Sequence, residues 1–390
     1  MERKQFEEHL KDSLIPFWSK LEDNEHGGFY GYVDENLTVD KFADKGVILN
    51  SRILWFYSAA YELLESDELL IKARHSFEFL KEYCYDKRRG GVYWSLTYDG
   101  KPVDTTKHTY NQAFAIYALS EYYMASGDGD ALLLAYDLFR IIEEKCRDKD
   151  GYLEAFSIDF TPDDNNDKLS ENGVIAGRTM NTLLHVLEAY SNLYKADHYE
   201  PVADRLKEIV DLFETKVFDK ELGRMLVFFD LDYNSLIDLY SYGHDIETSW
   251  LLDRAAEVLD DPIYTDKIHA MSNVLADEVR KHAYSESEHA LYNECENGVD
   301  DRKKVWWVQA ESVVGFYNAY QKMPDRKDYE KTAEEIFSFI MDKLVDPRCG
   351  EWFENILEDG SADLSRGMVH QWKCPYHNGR MCIEMCRRLS

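Results

Sequence analysis

The sequence predicts an all-α protein: a single (α/α)6 barrel of six inner and six outer helices, with short β-hairpins in the connecting loops. Three observations predict it. Six times, a turn followed by aromatic residues leads into a helix. The helices alternate between charged amphipathic ones and ones rich in small and aromatic residues. The last helix, HNGRMCIEMCRRL, carries Met381, Ile383 and Met385 and looks as buried as the others. An open helical array needs polar caps at both ends, so this last feature favours a closed ring.

The turns are NEHGGFYGY (24–32), DKRRGGVYW (86–94), DKDGYLEAF (148–156), DKELGRMLVFF (219–229), SEHALYNE (287–294) and DPRCGEWFE (346–354). Gly or Asp followed by alternating aromatics is a hairpin signal. The helices behind them start near Asn50, Asn111, Arg178, His244, Trp306 and His377, at spacings of 61, 67, 66, 62 and 71 residues. A period of that length marks a repeat architecture.

Apolar spacing predicts twelve helices, at 4–21, 46–66, 68–84, 108–126, 129–146, 175–196, 199–216, 244–259, 262–282, 304–322, 327–344 and 377–388. Segments such as DKIHAMSNVLADEVRKH (266–282) and KTAEEIFSFIMDKLV (331–345) keep one face for water and read as outer helices. Segments such as SRILWFYSAAYELL (51–64), NQAFAIYALSEYYMA (111–125) and WWVQAESVVGFYNAY (306–320) have few charges and read as inner helices, buried on nearly all sides.

Bulk composition narrows the function. The 390 residues are 45% hydrophobic, and no Pro/Gly/Ser-rich linker divides them, so one domain over 1–390 is expected. A net charge of −30 argues against nucleic acid or an anionic membrane as partner. No apolar run reaches the ~18 residues of a membrane span. The start, MERKQFEEHLKD, is charged and lacks the apolar region of a signal peptide. The seven cysteines are scattered, and Cys374, Cys382 and Cys386 lack common zinc spacing. Reduced thiols, a cytoplasmic location and a monomer without metal are therefore expected.

Several residues could carry chemistry. His244 and Glu247 lie three apart in SYGHDIETSWLLDRA, on one helix face. A carboxylate beside an imidazole can fix its tautomer and hold its pKa near neutrality, as a general base requires. Glu247 reads equally well as a capping acid. His377 follows Pro375 at a helix start in WKCPYHNGRMC, with Trp372 nearby. Asn181 and His185 share a face of RTMNTLLHVLEAY, where a buried histidine is more often a satisfied core residue. Arg52 in LNSRILWFY has no acidic neighbour in its own helix, so it needs a partner from elsewhere or an anionic ligand. Trp306, Trp307 and Tyr110 offer aromatic faces that suit the C–H faces of sugars, or simply a core. Each residue alone has a structural reading. All ten fall at or near an inner-helix start, and in a closed ring they converge on one cavity. Histidines, an arginine, a glutamate and aromatics together point to acid–base chemistry on a carbohydrate. No Walker loop, GxGxxG or HExxH pattern is present.

At these residues the chain resembles the cellobiose 2-epimerase branch of the N-acylglucosamine 2-epimerase superfamily. The resemblance rests on GVILNSRILWFYSAAY, KHTYNQAFAIYALSEYY, MNTLLHVLEAY, SYGHDIETSWLL, VWWVQAE and WKCPYHNGRMC, and it runs from about residue 16 to 386. It implies an (α/α)6 barrel that epimerises carbon 2 of the reducing-end glucose in β-1,4-linked disaccharides. Cellobiose would become glucosyl-mannose and lactose epilactose, with no metal or nucleotide. It places the paired bases at His244 and His377, with Glu247 orienting His244. Arg52, helped by Asn181 or His185, would stabilise an enediolate. Tyr110, Trp306, Trp307 and Trp372 would bind the sugar.

Three rival readings remain. An aldose–ketose isomerase or N-acylglucosamine 2-epimerase would share the histidines. A glycosidase would need two facing carboxylates, for which Glu247 and Glu311 are candidates. A helical-repeat binding protein gives no reason for interior bases.

Overall fold

The computed structural model describes residues 1–163, 165, 167–170 and 172–389. Six inner helices run over Val47–Leu64, Thr109–Ser126, Met180–Asp197, Tyr242–Leu259, Trp306–Lys322 and His377–Arg388. Outer helices precede them at Arg3–His9, Asp67–Phe79, Gly129–Lys145, Glu200–Leu212, Pro262–Ala283 and Lys327–Phe339. The first of these passes through a π turn, Leu10–Leu14, into Ile15–Ser19. Three others end in π turns, at Leu80–Cys84, Phe213–Val217 and Ile340–Leu344.

The two sets bury different surfaces, as their compositions require. The first inner helix buries every residue from Val47 to Ala60. The outer helix Glu200–Leu212 buries only Val202, Ala203, Leu206, Ile209 and Val210, a single stripe of helical period. Each inner helix packs on the next around the circle, and the sixth packs back on the first, so the ring closes. The N-terminal helix Arg3–His9 also packs on the last inner helix, which joins the two ends of the chain.

A collar of short antiparallel pairs fixes one end of this ring. The residues just before each inner helix pair with the hairpin that leads into the next: Lys45–Gly46 with Ser95–Leu96, Lys107–His108 with Ala155–Phe156, and Arg178–Thr179 with Phe228–Phe229. The same holds for Leu239–Ser241 with Glu294–Glu296 and Lys304–Val305 with Asn355–Ile356. A bridge between Val33 and Val369 completes the circle. All six inner helices therefore begin at the same end, and their positive dipole ends converge there.

The collar also moves one boundary. Helical spacing predicts the third inner helix from residue 175, but it begins at Met180 because Arg178 and Thr179 are drawn into the collar. The Thr179 hydroxyl then caps it, accepting from the Thr182 amide. Among the described residues no helix is long and apolar enough to cross a membrane, and all seven cysteines are free.

Candidate active site

Nine of the ten residues singled out in the sequence join one continuous network at the collar end. Arg52 on the first inner helix is 2% exposed. Its Nη2 donates to the Tyr110 hydroxyl at 2.9 Å, and its Nη1 to the Trp372 carbonyl at 3.4 Å. The guanidinium carbon lies 4.1 Å from the Phe114 ring and 4.6 Å from the Tyr376 ring. Among the described residues no carboxylate pairs with Arg52. Its Nε is buried without a hydrogen-bond partner. A desolvated cation held only by aromatic faces and neutral acceptors is prepared for an anion that arrives from outside.

Tyr110 meets His185 edge to face at 5.0 Å. His185 Nδ1 lies 2.8 Å from Glu188 on the next turn of the same helix. Burial pulls His185 below the usual imidazole range, against the opposing pull of Glu188. Glu188 shows the reverse balance. Burial pushes it up, but Arg380, His185 and the Tyr376 hydroxyl outweigh that and hold it at about 2. An ionised Glu188 can only accept, so His185 carries its proton on Nδ1 and turns Nε2 outward. Asn181 stands one turn earlier on this helix, half-buried, and its Oδ1 is sealed from water with no protein partner.

His377 has a matching arrangement. Its Nδ1 lies 2.7 Å from Glu311 on the fifth inner helix. Glu311 also accepts from Trp250 Nε1 at 2.9 Å and from Arg380 Nη2 at 2.7 Å. Burial raises Glu311, and Arg380 opposes that. Trp306 meets His377 edge-on at 5.3 Å, and Trp307 lies 5.5 Å away. Trp307 is also 4.8 Å from His244. One half-buried tryptophan thus contacts both His244 and His377. Gly243 makes this possible, because a Cβ there would lie 2.5 Å from the Trp307 ring. Trp372, half-buried, packs between Trp94 and Tyr110 at 5.7 and 6.0 Å.

Two expectations need correction. Glu247 does not orient His244. The atom beside His244 Nδ1 is the Ser241 hydroxyl, at 2.7 Å, while Glu247 is bonded by Arg380 from the sixth helix. Spacing put Glu247 on the right face of its helix, but the cation across the ring captures it. Burial and the neighbouring Glu311 push Glu247 up to about 8. The histidines are also not poised near neutrality. Burial, with His185 close by, lowers His244 to about 3. Burial, Arg380 and Arg52 push His377 well below its ordinary value. Both imidazoles are therefore neutral at pH 7, with a free nitrogen lone pair.

Glu247, Glu311 and His377 bring one donor atom each within 4.8 Å of one another, a spacing that a metal ion could bridge. Arg380 already supplies a cation there, since its Nη2 donates to both carboxylates. This also leaves Glu247 and Glu311 poorly placed for a glycosidase, because neither is free to face a scissile bond.

Sequence reasoning passed over Arg380, Glu188, Ser241 and Tyr376. Two carried a signal: Glu188 is three residues after His185, and Arg380 three after His377.

A sequence profile described as N-acylglucosamine 2-epimerase matches residues 27–378. A cellobiose 2-epimerase of Eubacterium cellulosolvens is 52% identical, over 97% of this chain and 96% of its own. A cellobiose 2-epimerase of Ruminococcus albus is 50% identical, over 98% and 97%. A crystal structure of a sugar epimerase from a ruminal bacterium superposes with a TM-score of 0.97 at 48% identity, covering 100% of this chain and 99% of the other.

Proposed function

The chain belongs to the N-acylglucosamine 2-epimerase family, and we propose that it is a cellobiose 2-epimerase in which His244 and His377 are the two bases. It inverts carbon 2 of the reducing-end glucose in β-1,4-linked disaccharides, turning cellobiose into glucosyl-mannose and lactose into epilactose. The observation that carries the residue assignment is the pair of neutral imidazoles that share contact with Trp307, 4.8 and 5.5 Å from its ring.

The chemistry follows from the groups present. The pyranose opens as the anomeric hydroxyl loses its proton and the ring oxygen gains one, leaving an aldehyde at carbon 1. The carbonyl acidifies the proton on carbon 2. One histidine takes that proton on Nε2, and the bonding electrons move to the carbonyl oxygen as an enediolate forms. Its negative charge develops beside Arg52, at the converging helix N-termini, where a preorganised donor stabilises it most. The Asn181 amide can donate to the substrate through Nδ2, and His185, with Nε2 a lone pair, can accept from a sugar hydroxyl. The second histidine, carrying a proton taken from solvent, delivers it to the opposite face of carbon 2, while the first gives its proton up to solvent. Inversion by this route needs a proton-transfer group on each face, which is why one base does not suffice. Tyr110, Trp306, Trp307 and Trp372 wall the sugar. The acidic surface and free thiols support a metal-independent monomer working in the cytoplasm, with the whole chain, 1–390, as one domain.

The test uses cellobiose in heavy water, with carbon 2 followed by NMR. Deuterium at carbon 2 with a mannose reducing end is expected. A ketose product would make the enzyme an isomerase. His244→Ala and His377→Ala should each lower turnover by about 10³-fold or more while the fold persists. Epimerisation retained in either would sink the two-base assignment.

A further inference from the structure

Arg380 is 1% exposed, and it meets three glutamates from three other helices. Nη1 donates to Glu188 on the third inner helix, and Nη2 to Glu247 on the fourth and Glu311 on the fifth. The guanidinium is stacked 4.1 Å from the Tyr376 ring and 4.8 Å from the Trp250 ring. Two of the glutamates it holds, Glu188 and Glu311, each accept from the Nδ1 of a histidine, at 2.8 and 2.7 Å. One planar fork therefore ties His185 and His377 together through their carboxylates, across the middle of the ring.

We propose that Arg380 is a positioning residue for epimerisation, fixing which nitrogen of His185 and His377 carries the proton so that both present Nε2 to the sugar. This rests on the two-base reading above. A carboxylate buried without a cation takes up a proton, and a protonated carboxyl offers Nδ1 a donor instead of an acceptor. The imidazole would then shift its proton to Nε2, and His377 could no longer take the proton from carbon 2. A lysine would keep the charge but not the arrangement. A single ammonium cannot make the fork's paired, planar contacts to both sides at once.

The experiment compares kcat and KM of the full chain with those of Arg380→Lys and Arg380→Ala. Each is followed by deuterium wash-in at carbon 2, with the fold checked by circular dichroism. The lysine variant should lose about 10²-fold in kcat with KM changed less than about threefold. The alanine variant should lose more, and sub-denaturing guanidinium should restore it at least about tenfold. Sodium chloride at the same ionic strength should not. Nitrogen-15 spectra of histidine-labelled enzyme should show the protons of His185 and His377 on Nδ1 in the parent and redistributed in Arg380→Lys. A lysine variant within about threefold of the parent in kcat, a loss carried by KM alone, or equal rescue by sodium chloride would overturn the proposal. Should the alanine variant not fold, the lysine variant decides by the same criteria. Wild-type enzyme that leaves carbon 2 unexchanged would instead sink the underlying reading.

Discussion

His377 and His244 contact the same tryptophan, yet the protein holds them in opposite ways. His377 leans on Glu311, which is itself tied to Arg380 and Trp250. His244 leans on the hydroxyl of Ser241. A carboxylate accepts only, so it locks the proton on Nδ1 and leaves Nε2 as a lone pair. A hydroxyl both donates and accepts, so it supports either neutral tautomer. The first arrangement fixes which nitrogen meets carbon 2. The second leaves the tautomer free to change as the proton moves. In a reversible epimerisation each histidine takes a proton in one direction and gives one in the other, so the contrast lies in how firmly the tautomer is held.

The most damaging way to break this contrast is Glu311→Gln. The amide keeps the shape, and its oxygen can still accept from Trp250. Its NH2 then faces His377 Nδ1 and Arg380, where acceptors are required. His377 flips its tautomer and offers Nε2–H to carbon 2. The expected loss is about 10³–10⁴-fold in kcat, with KM little changed, by analogy of geometry with a tautomer-holding aspartate. Steady-state kinetics on cellobiose check it, and a loss below about tenfold would show that the carboxylate does not set the tautomer.

The contrast also shows how much of the site was legible in the sequence. His244, His377, Arg52 and the aromatics could be found because the repeat brings them to helix starts, and a closed ring brings helix starts together. Their partners could not be found the same way. His185 with Glu188 and His244 with Glu247 have identical spacing, yet only the first forms a pair. Arg380, some 133 residues beyond Glu247, bonds both carboxylates, so it does not decide this. His244 Nδ1 instead meets the Ser241 hydroxyl just before its helix. Helical period reports which face a residue occupies. It does not report which neighbour wins the contact. The collar was missed for the same reason: two-residue strands carry no periodic signal, and their partners lie a whole repeat away.

A buried histidine outside the site sharpens the comparison by showing burial alone. His9, 5% exposed, accepts from Trp352 Nε1 at 2.8 Å. Burial lowers it from 6.5 to about 4, against a weaker upward pull from Glu351. Between those values the unfolded chain binds the proton and the folded one does not, so stability falls as pH drops through this window. His9 accounts for roughly 3 kcal/mol of stability at neutral pH that is lost by about pH 4. His9→Gln retains an acceptor for Trp352, and its thermal unfolding should depend less on pH between 6.5 and 4. Parallel melting curves for variant and parent across that range would exclude His9 as a source of the acid sensitivity.

The smallest change tests the softer side of the contrast. Ser241→Ala removes the hydroxyl that meets His244 Nδ1 but leaves the ring against Trp307. Packing holds the imidazole roughly in place, so the loss comes from a ring free to turn and from one unsatisfied nitrogen. A lost neutral hydrogen bond is worth about 1 kcal/mol, which corresponds to a fall of about fivefold in kcat. The fall should be unequal in the two directions of the reaction's pre-steady state, because only one epimer gives its proton to His244. Burst-phase deuterium exchange from cellobiose and from glucosyl-mannose, measured separately, reads that inequality and names the epimer. If Ser241→Ala instead costs as much as Glu311→Gln, the hydroxyl is as indispensable as the carboxylate, and the two histidines are held to the same purpose after all.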